Sequence, residues 1–133
     1  MKSYTDLEQS RRLAEILPRE TSDQTWQRVA IAGANLDVPE EKQYRHNGDM
    51  PFYFYSGVGV PCWSLAALLN YLKEIDMFPE IEADEHNVKM SVNYYNEDEA
   101  RPLAPIHNII VKAESFIEAC YELIIKFKEL KLI

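Results

Sequence analysis

Cysteine is scarce in this chain of 133 residues: only Cys62 and Cys120 are present. Two thiols cannot build a disulfide framework, and they lack the spacing of a metal-binding pair. Both are expected to be reduced. Long apolar runs are missing as well. No stretch reaches the ~20 apolar residues that a membrane-spanning helix needs. No apolar signal region follows Met1-Lys2-Ser3-Tyr4, so a cytoplasmic location without membrane contact is expected. Glycine is sparse, with four copies. Gly57-Val58-Gly59 lacks the third glycine and the lysine of a phosphate-binding loop. Basic charge is also short, with 14 Lys and Arg against 22 Asp and Glu, a net charge of −8. That deficit argues against direct nucleic-acid binding, which wants a basic face.

What remains is the composition of a globular protein, 47% apolar and 27% charged. The length suits one domain over 1–133 with a real core. The negative charge is concentrated. Between Lys73 and Glu99 lie nine acids and two bases, which carry seven of the eight net charges. Such a region is ordinarily a solvated face. It also suits a basic partner, or an acidic mimic of nucleic acid.

Local patterns give an element order. Thr5-Asp6-Leu7-Glu8 has the form of a capping box, and Leu7, Leu13, Ile16 and Leu17 follow before Pro18, so a helix is predicted over 6–17. A polar turn over 19–24 leads to a short strand over 26–31. Residues 33–50 read as a long exposed loop. Four consecutive aromatics at 52–55 favour a strand. Ser64 is a good N-cap, and Leu65, Leu68, Leu69 and Leu72 fall on one helical face that Pro79 bounds. The acidic 80–85 stretch reads as loop. Residues 86–95 alternate as a strand, 96–99 is a turn, and 106–112 is a second strand. Ser115 and Glu118 open a last helix whose stripe is Phe116, Ala119, Cys120, Leu123, Ile124 and Phe127. The order α-β-β-α-β-β-α predicts an α+β domain. Its mostly antiparallel sheet would hold about three to four strands, packed with about three helices. The first and last helices are expected to cover one face together.

Chemistry centres on Cys62. A thiol at a helix N-terminus feels the positive end of the helix dipole, which favours the thiolate. Cys62 followed by Trp63 and Ser64 looks superficially like the Cys-Trp segment of papain-like peptidases. His107 stands in an order compatible with a Cys–His hydrolase pair, with Asn108 or Asp98 to orient it. Against this, Ser64 is the better cap, which leaves Cys62 outside the helix as a small buried thiol. Trp63 is either a partner anchor or, more ordinarily, core. His46, His86 and His107 lack metal-ligand spacing with Asp49, Asp84 or Glu85, and no metal or other cofactor is expected. Tyr53, Tyr55 and Tyr95 would form an exposed aromatic face if their strands are neighbours. Tyrosine suits protein recognition, giving contact area at small entropy cost.

Two segments carry a resemblance. Pro61-Cys62-Trp63-Ser64-Leu65-Ala66-Ala67-Leu68-Leu69 and Glu118-Ala119-Cys120-Tyr121-Glu122-Leu123-Ile124-Ile125-Lys126 resemble a family of small uncharacterised proteins from phage and mobile-element regions of gut bacteria. The 9–17 segment and the 21–23 turn also fit. The family's Pro-x-Trp-Ser-Leu pattern does not call for cysteine at x, so the resemblance implies a helix-start signal at Cys62. It brings no activity, cofactor or catalytic residue. The expected function is a non-enzymatic accessory factor of a mobile element that binds another protein through Tyr53, Tyr55, Tyr95 and Trp63.

Overall fold

A computed structural model describes residues 2–28, 39–46, 59–95 and 106–133. Helix α1 spans Leu7–Ala14, α2 Glu40–Gln43, α3 Leu65–Glu74 and α4 Phe116–Glu129. Strand β1 spans Gln24–Arg28, β2 Tyr44–His46, β3 Val60–Cys62, β4 Glu80–Ala83, β5 Val88–Tyr95 and β6 Ile106–Ala113. The class is α+β. The described strands form two antiparallel three-stranded sheets, β2-β1-β3 and β4-β5-β6, where one sheet was expected. The chain divides into two compact units, Ser3–Ala67 and Leu68–Ile133 with Lys2.

In the first unit, α1 starts one residue later than its sequence signal. Asp6, not Thr5, is the N-cap. Its carboxylate accepts from the Gln9 N–H at 2.8 Å, and the Gln9 side chain accepts from the Asp6 N–H at 3.1 Å. The Thr5 hydroxyl is engaged elsewhere and is unavailable to cap. Residues 3–5 run beside 63–65, with Thr5 N donating to Trp63 O at 2.9 Å and Leu65 N to Ser3 O at 3.0 Å. Helix α1 lies against β3. The expected loop at 33–50 contains α2 and β2; a bidentate Arg11–Glu40 pair at 2.6 and 2.9 Å ties α2 to α1. Among the described residues β3 is an edge strand, which tolerates Pro61 because a missing N–H there breaks no inner ladder. Gly59 is required there by space: a Cβ would stand 2.1 Å from Thr25 Cγ2 and 2.6 Å from the Trp26 carbonyl oxygen. The predicted strand over 52–55 and turn over 96–99 lie outside the described residues.

In the second unit, α4 packs on β5 and β6. The first and last helices, expected to cover one face together, pack on strands of different sheets: α1 on β3, and α4 on β5 and β6. Strand alternation supplies Val88, Met90 and Val92 from β5, with Ile109 and Val111 from β6, to the covered face. From α4 come Ile117, Cys120, Ile124 and Phe127, spaced as one helical face. Ile117 replaces Phe116 in the predicted stripe; at the helix's first position Phe116 stays 36% exposed. The acidic stretch is β4 rather than loop: Glu80 and Glu82 alternate with Ile81 and pair with Ser91 and Lys89. Both long helices end on a left-handed residue, Asp76 (φ 58°) and Lys131 (φ 59°). Met77 N then donates to Leu72 O and Leu132 N to Phe127 O, closing each end. Helix α3 thus ends before Pro79 is reached.

Candidate interaction surface

Cys62 ends β3, three residues before the first residue of α3, and is 0% exposed. Its thiol donates to the Thr5 carbonyl oxygen at 3.4 Å and lies 3.6 Å from Thr5 Oγ1. Ser64 begins the helix, as its sequence predicts. Its hydroxyl accepts from the Ala67 N–H at 3.1 Å and donates to Asp23, which also accepts from the Ser64 N–H at 2.9 Å. Burial pushes the Cys62 pKa upward, opposite to what a thiolate nucleophile needs. The helix dipole does not prevail, because the thiol is outside the first turn and sealed from water. His107 is half-buried and stacks on Tyr94 across the β5–β6 pair, with centroids 5.2 Å apart.

Cys120, also 0% exposed, is pushed by burial from an ordinary 9.0 to about 12. Both shifts predict a pH dependence. The unfolded chain ionises these thiols near their ordinary value while the folded chain keeps them protonated. Their contribution to stability is complete below that value and is lost as pH rises through it toward the folded pKa. Above about pH 9, each thiol is expected to lower the unfolding free energy by up to about 1.4 kcal/mol per pH unit. Urea unfolding at pH 7 and pH 10 checks this; Cys120→Ala is expected to remove the Cys120 share of the slope.

The other predicted residues are distributed as follows. Trp63 is 0% exposed, and its indole N–H donates to Thr21 Oγ1 at 3.0 Å. Tyr53 and Tyr55 lie outside the described residues. Tyr95 ends β5 opposite Ile106 in register, and its side chain lies outside the described residues. Among the described residues, no group of three or more His, Cys, Asp or Glu is placed to hold a metal. His86 sits in the β4–β5 turn, where Asp84 accepts from the His86 and Asn87 backbone N–H groups at 2.8 Å. His46 is buried and stacks on Tyr4 at 3.7 Å between centroids.

A different surface emerges in the second unit. Helix α4 covers one face of β4-β5-β6, and the alternate residues form the other. Register places Glu80, Ser91 and Ile110 in one row and Glu82, Lys89 and Lys112 in the next. Asn93 pairs with Asn108, whose side-chain Nδ2–H donates to Asn93 Oδ1 at 2.7 Å. Ile106 and Ile110 are 58% and 52% exposed on this polar face. At its charged end, a cleft of about 550 Å³ is lined by Glu82, Ala83, Asp84, Asn87, Lys89 and Lys112. The face therefore joins an apolar end to a charged end. Two isoleucines share the polar register of β6 with Asn108 and Lys112, and only the pairing with β5 and the packing of α4 place that register on the helix-free side.

No family model, curated protein or solved structure matches the chain. Among the described residues, no helix is long and apolar enough to cross a membrane.

Proposed function

We propose that the protein is a non-enzymatic binding factor, acting in the phage or mobile-element setting that the resemblance implies. Its partner is a protein surface with an apolar patch bordered by lysine or arginine. The observation that carries this reading is the pair of isoleucines, both more than half exposed, on the helix-free face of the second sheet. Large exposed aliphatic side chains beside a polar rim are the anatomy of a protein interface. The neighbouring Glu80, Glu82, Asp84 and Glu85 are all exposed and complement basic charge.

Capture from a host lysate, repeated with variants, tests the proposal. The double variant Ile106→Asp with Ile110→Asp is expected to lose the captured protein, Cys62→Ala is expected to keep it, and raised salt is expected to weaken capture. Capture that survives the double variant, or disappears with Cys62→Ala in a folded protein, contradicts the reading. Failure to recover any protein also counts against it.

A further inference from the structure

We infer that the cleft at the β4–β5 turn binds a small zwitterion, with Lys112 holding its anionic group and Asp84 its cationic group. The inference is independent of the protein-binding reading, because it concerns a free solute. The space is adequate: about 550 Å³ falls within the ordinary range for ligand pockets, ~300–1,000 Å³. Three strands and one turn meet there. Lys89 comes from β5, Lys112 from β6, Glu82 from the end of β4, and Asp84 from the turn that follows it.

The positive side of the cleft is incompletely neutralised. Glu82 and Lys89 are opposite each other in register, and their side chains pair at 3.8 Å. Lys112 is directly opposite Lys89 on the other side and is exposed. Among the described residues it makes no ion pair. Like charges directly opposed across two strands are destabilising, and an anionic group between them removes that repulsion.

Asp84 supplies the opposite charge in a fixed orientation. Its Oδ1 accepts from both the His86 and the Asn87 backbone N–H at 2.8 Å. Its Oδ2 accepts no hydrogen bond among the described residues. The two backbone bonds hold the carboxyl below its usual pKa, so it is charged at neutral pH. Lys112 and Asp84 therefore line one cleft with opposite charges and do not pair with each other. A ligand with one charge of each sign answers both. A simple anion meets repulsion from Asp84 and Glu82, and a simple cation from Lys89 and Lys112.

Backbone-amide NMR titration of the whole chain with glycylglycine tests this at neutral pH, where the dipeptide carries both charges. The amides of Asp84, Asn87, Lys89 and Lys112 are expected to shift together and to saturate. N-acetylglycine keeps only the carboxylate and glycinamide only the ammonium, and each is expected to bind more weakly than glycylglycine. Lys112→Gln removes the cation. Asp84→Asn removes the anion and keeps an oxygen for the two backbone N–H groups. The contacts are exposed to solvent, so each variant is expected to weaken binding by about twofold to fivefold. Circular dichroism confirms that both variants are folded. The absence of a saturable shift up to about 100 mM glycylglycine overturns the inference. So does unchanged affinity in either folded variant, or binding of N-acetylglycine or glycinamide as tight as that of glycylglycine.

Discussion

Trp63→Ala is expected to lower the unfolding free energy by about 3–5 kcal/mol, the range for truncating a buried large aromatic. The side chain is 0% exposed, so the loss combines buried apolar area with a void that the surroundings fill only partly. It also removes the indole N–H that satisfies Thr21 Oγ1. Trp63→Phe keeps most of the ring volume and should cost clearly less. Urea unfolding monitored by circular dichroism measures both. A surface anchor behaves differently: its truncation changes stability by only about 0.5 kcal/mol in either direction. A small effect of Trp63→Ala would therefore place this residue outside the core.

Thr5→Val has the second large effect, despite nearly equal shape. Thr5 is 0% exposed and joins α1, β1 and the end of β3. Its hydroxyl accepts from the Trp63 N–H at 3.2 Å and pairs with Ser10 Oγ at 2.7 Å. Its carbonyl oxygen accepts from Trp26 Nε1 at 3.0 Å and from Cys62 Sγ at 3.4 Å. Valine keeps the backbone bonds and removes the hydroxyl. The Trp63 N–H then has no acceptor in that position, and Ser10 loses one partner. Stranding a buried polar group costs about 1–3 kcal/mol, so about 2–4 kcal/mol is expected in total. Thr5→Ser keeps the oxygen and loses one methyl, at a cost of about 1 kcal/mol. Thermal unfolding of the two variants gives the comparison. Equal destabilisation by valine and serine would contradict the hydrogen-bonding role.

These residues also mark what local sequence can and cannot convey. Strands β5 and β6 were legible because more buried and more exposed side chains alternate along the described part of each. The starts of α3 and α4 were legible because Ser64 and Ser115 cap through bonds only three residues away. Strand β4 was hidden because an exposed edge strand carries glutamates that read as loop. Strand β3 was hidden because it is three residues long and contains Pro61. The α1 start was misplaced by one residue for a tertiary reason. Thr5 bonds to Trp63, 58 positions away, and a pattern four residues wide cannot contain that. The same limit applies to Cys62. Its position before a helix suggested a reactive thiol, whereas burial decides its chemistry, and burial depends on distant residues. The open sheet face failed to stand out for the opposite reason. Ile106 and Ile110 look like ordinary strand residues until register assigns them to the side away from α4.

Two accounts of the chain compete at Cys62. In one it is a nucleophile; in the other, Cys62, Trp63 and Ser64 are scaffold that starts α3, and function belongs to an exposed surface. Native-state alkylation of Cys62 with iodoacetamide at neutral pH separates them most directly. The scaffold account predicts labelling slower than that of the urea-unfolded chain by about a thousandfold or more, because the thiol reacts only when the structure opens. Labelling of the folded protein as fast as, or faster than, the unfolded chain would contradict it and return Cys62 to the position of a reactive group.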